Sequence, residues 1–487
     1  MAQKQINQYI QNQLSRAPFL LRSLTHDGDG NPYLARNIFI QIEKYINDFI
    51  AGKKEVRIIG IPGLRGAGKT TLLAQLFFKL FPQHQRELLY ISVDQIVNIL
   101  RSDLYSALEE YQKILGESFE RLDKNIFIFI DEIHFDKNWP SVLKSIYDKS
   151  KNVFVICTGS SAISLQSTTD IARRIIFEKL YPMNFEEYIM LKTNCLASQK
   201  TEIKTKFPMK ELKEKIKNAL FYSKSADACY ANLNNIQKDV KKYWLDVDQL
   251  EINKYLKFDT MPFALCIDDE NKSHALMNEL IDRVIEKDLF ELNKFSVETI
   301  EKIKNILLMV ASSDEISITS LAKNLTDISK NTLIDIFSAL EKAEMIIRVY
   351  PYGSVYKKVR KPSKYYFMTP AIRYALLSIV DGASAFEKYK GKYLEDIAAL
   401  YLRKEFGRNL ISPIYYDSTK GGADFILQIG DKKIVLEIGF GNKKTQQAET
   451  SLEKTQGNYG LVISKSNFEF LRDKNIIKVP LEFFLLI

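Results

Sequence analysis

No apolar run in these 487 residues approaches the ~20 needed to cross a bilayer, which argues against a membrane-spanning protein. The opening residues, Met1-Ala-Gln-Lys-Gln-Ile-Asn-Gln8, lack the apolar core and small-residue cleavage site of an export signal. A cytoplasmic location without membrane contact is therefore expected. Cysteine is scarce, and Cys157, Cys195, Cys229 and Cys266 form no Cys-x-x-Cys pair. They read as reduced, partly buried thiols and not as a zinc site or disulfide frame. Charge of one sign is weak too: a net +9 is compatible with nucleic-acid contact but does not argue for it. Asp27-Gly-Asp-Gly-Asn-Pro32 has the composition of a calcium loop but no Glu at the twelfth position, so it reads as a solvated turn. The 46% hydrophobic and 26% charged fractions are ordinary for folded protein, and the length suits about three domains of ~150 residues.

What is present is sharper. Between strand-like Val56–Ile61 and an apolar helical stretch from Thr70 to Leu80 lies Gly63-Leu-Arg-Gly-Ala-Gly-Lys-Thr70, the phosphate-binding (Walker A) pattern G-x-x-x-x-G-K-S/T. Glycines at 63, 66 and 68 let the backbone curl so that successive N–H groups of Arg65, Gly66, Ala67 and Gly68 face one anion. Lys69 adds a point charge for the outer phosphates, and Thr70 offers a hydroxyl to Mg²⁺ with Thr71 beside it. The following helix places its positive end under the triphosphate. ATP and Mg²⁺ are the expected ligands.

Ile126-Phe-Ile-Phe-Ile130 is a buried-strand run ending in Asp131-Glu132, the Walker B pattern. Asp131 is expected to hold Mg²⁺, directly or through water, and Glu132 to orient and polarise the attacking water. Strands are also predicted at Leu88–Val93 and Val153–Cys157, separated by helical patterns, which gives a parallel α/β sheet. The last of these runs into Thr158-Gly-Ser160-Ser161, where Ser160, with Thr158 close behind, is the candidate reader of the terminal phosphate. Phosphoryl transfer spreads negative charge, so an arginine is expected. Arg173 or Arg174 qualifies, acting in its own site or a neighbour's, or else pairing structurally with a carboxylate. His134 reads as an orienting or packing histidine.

The remainder is less explicit. Phe185 to Asp288 is helical and Lys-rich, with Thr201–Lys257 hardest to place. Ser317–Leu325 followed by Ser329–Lys342 resembles a helix-turn-helix, with wing strands at Met345–Tyr350 and Lys364–Met368. Lys330, Lys342 and Lys357–Lys361 are candidate phosphate contacts for DNA. The tail from Ala385 opens with a helix and continues with strands at Asp424–Gln428, Lys433–Ile438 and Tyr459–Ser464.

Taken in order, these pieces resemble the bacterial and archaeal AAA-type ATPases of the signal-transducing, numerous-domain kind. The resemblance rests on Asp131-Glu-Ile-His134, Thr158-Gly-Ser-Ser161, Arg174, Leu180-Tyr-Pro-Met-Asn-Phe-Glu-Glu-Tyr188, Ile285–Leu289, Gly391–Glu395 and Gly422-Ala-Asp424. The Gly-Gly-x-Pro of that group is degraded here to Asp259-Thr-Met-Pro262. The resemblance implies an α/β architecture: a P-loop NTPase parallel sheet with a helical lid, a winged helix-turn-helix and a C-terminal restriction-endonuclease-like α/β domain. The expected divisions are an N-terminal helical segment (1–50), the ATPase core (51–190), a lid with a Lys-rich insertion (191–295), the winged helix (296–375) and the endonuclease-like domain (385–487). It also puts Arg174 in the place of the family arginine. Glu395, Asp424 and Glu437 then fall in the order of a nuclease metal set, but Glu437-Ile-Gly439 has glycine where lysine belongs, with Lys443 or Lys444 left to swing in. The expected activity is an ATP-driven switch with a DNA, protein or self-associated partner; the alternative is an ATP-regulated metal-dependent nuclease.

Overall fold

Ile126-Phe-Ile-Phe-Ile130 is apolar at every position because both faces of its strand are covered. In the computed structural model, which describes residues 2–159, 171, 173–196, 209–289, 295–313, 318–325, 328–354, 361–407, 412–441 and 443–487, the chain divides into two compact units. The first comprises Met1–Tyr181 with Met190–Lys200, and the second Pro182–Ile189 with Thr201–Ile487.

The first unit is built on β1 (Ile58–Pro62), β2 (Leu88–Ser92), β3 (Ile126–Asp131), β4 (Val153–Gly159) and β5 (Ile175–Phe177). They form one sheet in the order β2-β3-β4-β1-β5, parallel throughout. Alternate side chains go to opposite faces. Ile126, Ile128 and Ile130 pack with α1 (Ala2–Arg22), α4 (Leu104–Leu115) and α5 (Trp139–Lys149). Phe127 and Phe129 point the other way, into a core with α2 (Ile38–Ile50) and α3 (Lys69–His84). The edge strand β2 is capped by Tyr9, whose hydroxyl accepts from the Ser92 N–H at 3.0 Å. The three-residue strand β5 was not foreseen, being too short to show a period.

The second unit holds an eight-stranded mixed sheet. Its strands are β6 (Ile346–Pro351), β7 (Lys364–Phe367), β8 (Ile414–Tyr416), β9 (Phe425–Ile429), β10 (Lys432–Ile438), β11 (Tyr459–Ser464), β12 (Glu469–Leu471) and β13 (Ile476–Pro480), in the order β12-β13-β11-β10-β9-β8-β6-β7. The β6–β7 hairpin is therefore continuous with the C-terminal strands, because Tyr350 and Pro351 of β6 pair with Tyr415 and Tyr416 of β8. The Lys-rich stretch forms helices such as Ala226–Leu245, which bury Cys229, Leu233, Ile236 and Val240 inside this unit. Tyr230 stacks on Phe468 and Phe470 there. Cys157 and Cys229 are buried free thiols, but Cys266 is disulfide-bonded, contrary to the reading of all four as reduced. Among the described residues no helix is long and apolar enough to cross a membrane.

A buried ion pair ties this unit together. Arg373, on the helix Pro370–Asp381, donates through Nε and Nη2 to Asp396 of the helix Ala385–Phe406 at 2.7 and 2.8 Å. Asp396 also accepts from the Phe367 N–H of β7, and Arg373 Nη1 donates to the Ala311 carbonyl at 2.6 Å. With the pair fully buried, removing one partner strands the other charge away from water. Asp396→Ala is expected to lower stability by ~3–5 kcal/mol, read as a fall in the urea midpoint of the second unit; Asp381→Ala, on an exposed pair, should shift it little.

Candidate functional site

The loop after β1 turns back under α3 because two of its glycines take conformations closed to other residues: Gly66 at φ +79° and Gly68 at φ +92°, the latter capping α3. Gly63 is needed for a different reason. A Cβ there would lie 2.3 Å from the carbonyl oxygen of Leu180, which packs against the loop entrance. Lys69 opens α3, is almost wholly buried, and donates to the Gly63 and Leu64 carbonyls at 3.0 and 3.2 Å. Ala67 is buried, while Arg65, Thr70 and Thr71 are partly exposed around the same turn. Arg36, which the sequence did not single out, braces the loop from outside by donating to the Ala67 and Tyr181 carbonyls at 3.2 and 2.9 Å.

The sheet order sets the carboxylates beside this loop. β4 lies between β1 and β3, so Thr158 at its end bridges them, and Ser92 of β2 pairs with Asp131. Thr70 donates to the two Asp131 oxygens at 3.2 and 3.0 Å, Thr158 donates to Oδ1, and Tyr90 of β2 donates to Oδ2 at 3.3 Å. Burial, and then the neighbouring Glu132, push the Asp131 carboxyl above its ordinary pKa against these hydroxyls. Glu132 sits in left-handed backbone at φ +53°, its N–H held by the Thr158 hydroxyl at 3.1 Å. The 3₁₀ turn Ile133–Phe135 follows, and His134 Nδ1 lies 3.3 Å from Glu132 Oε2. Thr70 and Asp131 present a hydroxyl and a carboxylate, donor types that Mg²⁺ takes, beside the glycine-rich loop.

Of the predicted residues, Gly63 to Thr71, Asp131, Glu132 and Thr158 are thus brought together. Ser160 lies outside the described residues. Arg174 is not in this cluster. It immediately precedes β5, where Ile175 pairs with Ile58 at the start of β1, four residues and about 13 Å along the strand from the loop. Its guanidinium donates to Asp148 at 2.8 and 3.1 Å. The parallel register puts it at the opposite end of the strands from the loop, paired with a carboxylate. Tyr90 was missed because an isolated tyrosine at a strand end carries no motif.

The second unit has a cavity of about 560 Å³ lined by Glu395, Asp424 and Glu437 together with Lys364, Lys443 and the loop from Asp417 to Gly422. Asp424 Oδ2 accepts from the Ile438 N–H at 3.0 Å, and Glu437 accepts from Lys443 Nζ at 2.6 Å. Glycine at 439 makes room for that lysine, since a Cβ would fall 2.2 Å from Lys443 Cε. Burial, then the charge on Asp424, raise Glu395 to about 8 and Glu437 to about 7. Glu395, Asp424 and Glu437, the expected second metal set, thus line one cavity. Among the described residues no group of three His, Cys, Asp or Glu side chains is set to hold a cation, and one oxygen each of Asp424 and Glu437 is bonded to the Ile438 N–H and to Lys443.

Residues 55–189 match an AAA domain family, and residues 249–382 a domain of unknown function (DUF8612). The uncharacterized protein MJ1637 of Methanocaldococcus jannaschii is 34% identical across 99% of this chain and 94% of its own. A second protein of that organism, MJ1544, is 24% identical over 80% of this chain and 75% of its own. Among solved structures, the Walker-type ATPase PABY2304 of Pyrococcus abyssi aligns with 72% of this chain and 98% of its own, at 14% identity and a TM-score of 0.41.

A carboxyl whose folded pKa lies above its unfolded value stabilises the fold below the unfolded pKa and loses that contribution as pH rises through the folded one. For Glu395 the window runs from the ordinary 4.5 to about 8. Glu395→Gln is therefore expected to melt near the wild-type temperature at pH 4.5 and at least ~2 °C above it at pH 9, as followed by calorimetry.

Proposed function

We propose that this chain, which belongs to the family of the archaeal protein MJ1637 and carries an AAA-type P-loop domain at residues 55–189, binds and hydrolyses ATP with Mg²⁺ as a nucleotide-driven switch. The observation that carries the reading is the contact of Thr70 with Asp131 at 3.0 Å beside a loop whose lysine is already buried. Amides of residues 65–70 and the Lys69 ammonium bind the outer phosphates, for which Lys69 exchanges its two carbonyl partners. Thr70 and Asp131 would hold Mg²⁺, which when bound neutralises charge on the phosphate oxygens. Glu132 orients and polarises water, and Ser160, or else Thr158, reads the terminal phosphate. Arg174, standing away from its own loop, suits action on the nucleotide of a second copy of the chain.

The modules that would convert this switch into work are residues 191–295 as lid and insertion, a winged helix over 296–375 and an endonuclease-like domain over 385–487, in a cytoplasmic protein acting on DNA or a protein partner. The nuclease alternative is not adopted. Lys443 beside Glu437 speaks for it, but the three acids offer no three-donor cation set.

Lys69→Ala is expected to abolish binding of a fluorescent ATP analogue. Glu132→Gln should retain binding yet lower turnover at least ~100-fold, measured as phosphate release with and without DNA, RNA and cell extract. Undiminished hydrolysis in Glu132→Gln would refute the catalytic assignment.

A further inference from the structure

Glu132 is awkwardly placed for a residue asked to aim a water molecule. Its backbone is held in the left-handed region, its side chain has several free torsions, and one oxygen, Oε2, is buried without a hydrogen bond. The imidazole of His134 stands beside that oxygen, with Nδ1 3.3 Å away, inside bonding distance but not aligned. The ring is itself fixed. It is almost fully buried on the single turn Ile133–Phe135 and lies against the Phe135 ring at a centroid distance of 4.7 Å. A small rotation of the glutamate would align the two.

The charge state of the ring matters. Burial, then Lys69 and Arg65 of the phosphate loop, drive the His134 pKa down to about 3, with Asp94 opposing them more weakly. The imidazole therefore stays neutral throughout the physiological range. A charged imidazolium beside Glu132 would sap the basicity of its carboxylate, whereas a neutral N–H donor orients it and leaves it able to accept a proton.

We propose that His134 is the positioning residue for Glu132: the imidazole holds Oε2 so that Oε1 faces the attacking water. This rests on the ATP-hydrolysis reading above. In the step it serves, the water oxygen bonds to the terminal phosphorus while the bond to the bridging oxygen breaks. The water proton passes to Oε1 and then to the released phosphate.

The test compares His134→Phe, which keeps a ring without the donor, with His134→Asn, whose amide places a donor near the position of Nδ1. The phenylalanine variant should lower kcat by about 10- to 100-fold with KM and the affinity for a fluorescent ATP analogue within about threefold of wild type, and asparagine should recover part of the rate. On a Glu132→Gln background, His134→Phe should cost nothing further, because the carboxylate it orients is gone. Should the phenylalanine variant fail to fold, His134→Leu, which also lacks the donor, on the two backgrounds carries the same comparison. A kcat within twofold of wild type, a parallel loss of nucleotide affinity, or additive losses in the double variant would each overturn the proposal. Wild-type protein that binds ATP without hydrolysing it would overturn the hydrolysis reading instead, and this proposal with it.

Discussion

The first unit turns on one buried carboxylate. Asp131 sits at the end of a strand covered on both faces and is surrounded by hydroxyls from three other places: Thr70 on α3, Thr158 on β4 and Tyr90 on β2. A carboxylate this deeply buried is costly unless hydrogen-bonded. Those hydroxyls reach it only if the strands run parallel in the order β2-β3-β4-β1 and the loop after β1 closes on α3. The hydroxyl cluster thus couples the sheet order to the geometry of the loop, and Thr158 extends the coupling to the Glu132 backbone.

Both units keep a lysine engaged with their own atoms where a ligand would otherwise find it. Lys69 is tied to two loop carbonyls, and Lys443 to the buried Glu437. A phosphate arriving at the first site would have to replace these bonds from the ammonium to neutral carbonyls with ones in which both partners are charged. The lysine is then preorganised and gives up little entropy on binding. In the cavity of the second unit Lys443 opposes the rise that burial and Asp424 impose on Glu437, and it takes up one of the oxygens a cation would need.

Much of the first unit was legible from residue order. Continuous apolar runs announced β1 to β4, and a glycine-rich turn between strand and helix announced the loop. The wing strands and three of the C-terminal strands were visible by their alternation. What escaped were elements too short to have a period, such as β5 and β8, and single residues outside any motif, such as Arg36, Tyr9 and Tyr90. Gly63 was expected for the right place and the wrong reason: its role as packed is to admit the Leu180 carbonyl. Gly439 likewise looked like a missing lysine and is the gap through which Lys443 passes.

The sequence by itself determined the chemistry on offer: a phosphate loop, a strand-end Asp-Glu pair and three C-terminal acids, since residue type and local spacing are enough to specify each. Only the tertiary structure decided which of these groups meet. Parallel register carries Arg174 to the far end of the strands, and β6 pairing with β8 merges a hairpin into the C-terminal sheet. Burial settles whether His134 is charged. Such outcomes depend on strand order and on solvent exclusion, which arise from contacts between residues far apart along the chain.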